Sequence, residues 1–136
     1  MAIAAVRQSV EARFRDSDDM RWAVRHWAAR IGVRVLQVHV REMTTKWASI
    51  STQGRLTLDT DLLDIAKDLA EFVIVHELVH LLAPNHGKVF KSFMLAYMPD
   101  WEEREKRLKA VSDLPSGVGQ CKATPGGKIP TSDAPT

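Results

Sequence analysis

The sequence predicts a small α+β domain, with helices at both ends and a largely antiparallel sheet of three or so strands between them. Apolar residues recur at three- and four-residue spacing before Gly32 and after Thr60, the period of a helix with one buried face. Between those points β-branched and alternating residues take over, the signature of strands. One helix of the second half is apolar nearly all round and carries two of the five histidines, so the other elements are expected to wrap around it. With 136 residues, 45% hydrophobic and 26% charged, the chain is sized and balanced for one globular domain and not two.

Ile3, Val6, Val10 and Phe14 fall at helical spacing and predict an amphipathic first helix. The acidic run of residues 16–19 ends it and supplies an N-cap for a second helix, whose apolar face is Met20, Ala23, Val24, Trp27 and Ile31. Gly32 then stands where a left-handed C-terminal residue is expected. Residues 33–40 are rich in valine and read as a strand, residues 46–51 alternate as a second, and Gln53-Gly54 turns the chain into a third over residues 55–59.

Residues 61–83 predict either one helix or a short one kinked into a longer one. The β-branched run Val73, Ile74, Val75 would suit a strand, but the length favours a helix. Pro84 stops it. Residues 88–98 form a further helix with Val89, Phe90, Phe93, Met94 and Tyr97 on one side, and Asp100 with Glu103 predicts a capping box for a last helix. Four of the six prolines and four of the seven glycines lie from residue 113 onward, with almost no large apolar residue to offset chain entropy. The expected organisation is one domain over residues 1–112 and a disordered tail over residues 113–136.

Several function classes are set aside by composition. No apolar run reaches the roughly 20 residues that cross a bilayer, and the N-terminus lacks the basic-then-apolar pattern of a secretory signal. The one cysteine, Cys121, falls in the tail, which leaves no internal disulfide and fits a reducing compartment. A net charge of +2 does not by itself argue for nucleic acid. A cytoplasmic monomer without membrane contact is the expectation.

The informative stretch is "VIVHELVHLLAPNHGKVF", residues 73–90. His76 and His80 stand four apart, so on a helix their Cβ atoms lie about 5–6 Å from each other, and both rings can reach one point about 2 Å from a nitrogen of each. Glu77 is rotated by one residue and falls beside that point, where the general base of metal-assisted hydrolysis belongs. Pro84 and Asn85 turn the chain, and His86 follows early enough to swing back as a third ligand. Three protein ligands leave a fourth position open, the catalytic arrangement and not the closed structural one. Three neutral nitrogens without a thiolate suit one zinc ion, although the spacing alone also admits iron, nickel or manganese. The bland alternative makes His76 and His80 satisfied core residues with Glu77 beside a lysine, and His86 a helix cap. Glu102, Glu103 and Glu105 offer an alternative third ligand on a helix that looks solvated. The apolar surroundings of the pair favour the metal, because buried polar groups there need a reason. His26 and His39 have no partner at ligand spacing and are read as ordinary.

On these residues the chain resembles a known group. "KWASISTQGRLTLD" followed by "AEFVIVHELVHLLAPNHGKVFKSFMLAYMPDWEER" is similar, in order and spacing over residues 38–106, to the YgjP-like metallopeptidase domain family, related to the SprT-like and WLM zincins. The resemblance implies His76, His80 and His86 as metal ligands, Glu77 as the catalytic glutamate, and a small minigluzincin-like zincin fold with its sheet beside the HExxH helix. Ala48 and Ile50 stand where the family has Gly and Cys, Asp59 where Asn is usual, and much of the family's β-rich N-terminal region is missing. Metzincins share the ligand spacing but place Gly where Ala83 stands and add a Met-turn; Met94 and Met98 lie instead on a predicted helix.

The expected function is therefore a zinc-dependent hydrolase, a metallopeptidase acting on peptide or protein through a Glu77-activated water. Lys46, Trp47, Ser49 and Tyr97 are candidate substrate contacts, Trp47 being better suited to the core. Two rival readings stand beside it. One is a metal-dependent nucleotide pyrophosphatase, with Arg41, Lys46, Arg55, Lys88 and Lys91 binding phosphates. The other is a non-catalytic metal-bearing module that binds DNA or protein.

Overall fold

The computed structural model describes residues 12–112. The expected helix through Ile3, Val6 and Val10 and the expected tail both lie outside them. Phe14, assigned to that helix, sits in a non-helical lead-in and is buried.

Helix α1 (Ser17–Ile31) starts where the acidic run predicts. The Asp16 carboxylate accepts from the Asp19 N–H, and the Asp19 carboxylate reaches back to accept from the Arg15 N–H at 2.9 Å. Reciprocal capping of this kind satisfies two donors that the helix cannot. Gly32 ends the helix at φ 84°, its N–H bonded to the Ala28 carbonyl. The face of Met20, Ala23, Val24, Ala28 and Ile31 is buried.

Three strands follow: β1 (Gln37–Arg41), β2 (Ala48–Ile50) and β3 (Arg55–Asp59), in spatial order β1-β3-β2. The β2–β3 hairpin is antiparallel, from Ala48↔Leu58 to Ile50↔Leu56. β1 pairs with β3 in parallel, from Gln37↔Arg55 to Arg41↔Asp59. The sheet is thus mixed, which corrects the expectation of a largely antiparallel one. β3 is inserted between two strands that are consecutive in sequence; alternation decides which face of a strand is buried and says nothing of which neighbour it pairs with.

β1 also begins later than residue 33. Its lead-in is tied to the hairpin turn, where the Leu36 N–H donates to the Gly54 carbonyl at 2.8 Å. Gly54 is at φ 93°, and a Cβ there would stand 2.7 Å from the Arg34 carbonyl oxygen, so only glycine fits. The Ser51 hydroxyl accepts from the N–H groups of Gln53 and Arg55 and closes the turn.

The long helical run divides in two. A 3-10 turn (Thr60–Asp64) is capped by Asp59, whose buried carboxylate accepts from the N–H groups of Asp61 and Met43. Helix α2 (Lys67–Val79) then runs through the middle of the molecule with Leu69, Ala70 and every residue from Phe72 to Val79 buried. Its first N–H donates to the Ala12 carbonyl, since Ala66 offers no side-chain cap. Helix α1, strand β2, helix α3 (Lys88–Tyr97) and helix α4 (Trp101–Ser112) all lie against α2.

On α3, Phe90 and Met94 point inward, while Val89, expected on the same side, is 60% exposed. Helix α4 is clamped to α2 by a bidentate pair, Arg107 to the Asp68 carboxylate at 2.7 and 3.2 Å, and by Arg104 donating to the Asp68 carbonyl. The Asp100 carboxylate, expected to cap α4 together with Glu103, takes the Arg104 guanidinium at 3.0 Å. Among the described residues no helix is long and apolar enough to cross a membrane.

Candidate metal centre

Three successive pieces of chain deliver the histidines. His76 is in the last turn of α2 and is 3% exposed. His80 is the C-terminal cap of that helix, at φ −62° and ψ −20°. Beyond Val79 the ladder tightens, with Leu81 and Leu82 N–H groups bonding three residues back, and Ala83 precedes Pro84 outside the helix. A proline disfavours helical geometry in the residue before it, and the chain leaves the axis here. Residues 84–87 bend, and His86 returns on the exposed side.

The bend brings the three rings together. One nitrogen from each of His76, His80 and His86 lies within 4.8 Å of the others. The Nε2 atoms of His80 and His86 are 3.0 Å apart, and the three ring centroids are separated by 4.6 to 5.2 Å. His80 Nδ1 lies 3.3 Å from the Ala83 carbonyl. A carbonyl only accepts, so Nδ1 carries the proton and the lone pair of the neutral ring is left on Nε2, the atom facing His86. Fixing the outer nitrogen in this way is how proteins orient a metal-binding imidazole. Three imidazole nitrogens converging in this way, with no thiolate among them, form a donor set that fits a borderline divalent ion.

Glu77 has no exposed surface, and its Oε2 lies 3.7 Å from His76 Nδ1. Asp59, His76 and Glu77 are the buried polar or charged residues among those described, and two of the three belong to this centre. Such groups resist burial in an apolar interior unless partnered.

The other sequence-nominated residues stand elsewhere. Trp47 is completely enclosed in the core. Lys46 is half-buried just before β2, and Ser49 is half-buried on that strand opposite Thr57. Tyr97 is half-buried on α3, its ring parallel to that of Phe93 at 6.5 Å. Glu102, Glu103 and Glu105 on α4 do not join the convergent group. Sequence reasoning missed the Ala83 carbonyl, for which no side-chain pattern could speak, and read Phe90 as part of an apolar helix face without placing its ring against all three imidazoles. For Phe90 a signal existed, a large aromatic four residues after His86.

The model of the YgjP-like metallopeptidase domain family matches residues 3–111. Two solved structures share the fold. The crystal structure of the metallopeptidase zymogen abylysin of Pyrococcus abyssi is 24% identical with a TM-score of 0.60, covering 66% of this chain and 91% of that one. That of the zymogen jannalysin of Methanocaldococcus jannaschii is 22% identical with a TM-score of 0.59, covering 65% and 91%. No curated protein matches the sequence.

Proposed function

The chain belongs to the YgjP-like metallopeptidase domain family, and on that premise we propose that it is a zinc peptidase in which His76, His80 and His86 hold one metal ion and Glu77 manages the protons. The observation that supports it most is the convergence of three imidazole nitrogens beside a buried glutamate on one helix. Zinc in such a site supplies Lewis acidity, activating water near neutral pH and polarising a carbonyl. Glu77 accepts the proton of the attacking water and passes it to the amine that leaves as the peptide bond breaks. The His80–Ala83 hydrogen bond keeps the imidazole in the tautomer that the task needs.

Substrate would enter along β2. The order β1-β3-β2 leaves β2 at the sheet edge, where an extended peptide can add by main-chain hydrogen bonds. Lys46 just before that strand, Ser49 on it and Tyr97 on α3 are the side chains proposed to meet it; Trp47 acts from behind by packing.

A peptide is the substrate class that the family match supports, since the matching model is that of a metallopeptidase domain. A purely structural metal would be closed by a fourth protein ligand, and the convergent group among the described residues numbers three.

The test is a parallel screen of the zinc-loaded protein on casein-derived peptides and on nucleoside triphosphates. Cleavage of peptide alone is expected. Turnover of triphosphates with no peptide cleavage would overturn the assignment.

A further inference from the structure

The three imidazoles hang from a helix, a helix cap and an irregular exposed bend, and no regular element spans all three. Their mutual geometry nonetheless is close to that of a regular figure, and the residue common to it is Phe90. The Phe90 centroid lies 4.9 Å from that of His76, 4.8 Å from His80 and 4.8 Å from His86. With the three inter-imidazole distances, the four rings occupy the corners of a near-regular tetrahedron. The planes are crossed as well: Phe90 meets His76 at 68° and His86 at 87°, and lies tilted at 35° to His80. Edge-to-face and offset contacts of this kind are the preferred arrangements of aromatic pairs.

Phe90 is 2% exposed and His76 equally buried, whereas His86 is exposed and His80 half-exposed, so Phe90 and His76 are the floor of the group and His80 and His86 its rim. The contact of Phe90 with His86 also joins α3 to the bend that carries that histidine.

We propose that Phe90 is a positioning residue of the metal centre: its ring sets the spacing and plane angles of His76, His80 and His86 so that the ion is bound without rearranging them. The inference rests on the reading of those histidines as metal ligands. A leucine of similar burial would fill the volume but could not present three crossed faces. Groups that hydrogen-bond to metal ligands typically govern about 10- to 100-fold in metal affinity, and a ring that orients three ligands at once is expected at the lower end of that range.

The experiment loads the wild type, Phe90→Leu, Phe90→Met and Met94→Leu with cobalt(II). The readouts are the visible absorption of the bound ion, its dissociation constant by chelator competition, and the melting temperature of each metal-free protein. Met94 is equally buried one turn further along α3, so its variant reports the effect of repacking the same helix without loss of an aromatic ring. Expected is a weakening of cobalt binding of about tenfold or more with an altered spectrum for both Phe90 variants, and an unchanged spectrum and affinity for Met94→Leu. Phe90→Met keeps the question answerable if the leucine variant does not fold. Unchanged affinity and spectrum in a folded Phe90 variant overturn the positioning role while leaving the histidine ligands in place. A wild type that binds no cobalt overturns the ligand reading, and this proposal with it.

Discussion

A glutamate without exposed surface, next to a histidine on the most buried helix, carries a desolvation cost that its partners must offset. The proposed proton transfer gives that buried carboxylate a use. Glu77→Gln preserves shape and hydrogen-bonding atoms but cannot accept a proton at neutral pH. Metal content measured on the purified variant should equal that of the wild type, while kcat for peptide cleavage should fall by about 10²- to 10⁴-fold. Undiminished turnover would remove Glu77 from the proton path. At this scale the sequence was largely legible, because the spacing of His76, Glu77 and His80 is itself a geometric statement once a helix is granted. What it could not supply was whatever depends on the backbone after Val79. The carbonyl that orients His80 comes from Ala83, whose side chain says nothing, and the ring beneath the triad comes from a residue that also suits an ordinary core.

Elements were legible where local chemistry decides them and obscure where distant partners do. Asp16 and Gly32 announced both ends of α1, and each does its work within four residues. The pairing of β1 with β3 depends on residues some eighteen positions apart, and no local pattern encodes it. Two tests belong here. Gly54→Ala forces a Cβ towards the Arg34 carbonyl at a positive φ and should destabilise the fold by about 1–3 kcal/mol in denaturant titration. Its metal affinity should be unchanged, since the hairpin turn holds none of the ligands. The second concerns acid. The Asp19 carboxyl is held below its ordinary range chiefly by the Arg15 N–H bond, aided by the nearby Arg15 guanidinium and opposed by partial burial. A depressed folded pKa contributes stability that is present above the unfolded value, about 3.9, and lost as pH falls through the folded one. The stability gap between wild type and Asp19→Asn should therefore be open at pH 6 and close below pH 4, as urea titrations of the two metal-free proteins at each pH would record. A gap independent of pH would mean the Asp19 charge adds nothing to the cap.

For the whole molecule, the α+β architecture was readable from two changes of period along the chain, and the YgjP-like resemblance over residues 38–106 proved to be part of a family match over residues 3–111. The order of the strands was not readable, because it emerges only when β3 is slotted between its neighbours. The same global view yields a consequence for stability. The three histidines come from α2, its cap and the bend leading into α3, so an ion bound by all three would tie two helices that otherwise meet through side-chain packing. In the unfolded chain the three rings are not held together, so the ion favours the native state. At a free zinc concentration of 100 times the dissociation constant, this linkage is worth about 2.7 kcal/mol. For a domain of this size that raises the melting temperature by roughly 10–20 °C. The rise should vanish on chelation and be largely absent in His86→Ala, which loses the ligand that closes the bend. In Gly54→Ala, by contrast, the zinc-dependent rise should persist on a lower baseline. A wild-type melting curve that zinc leaves in place would show that these imidazoles, however close, do not share an ion.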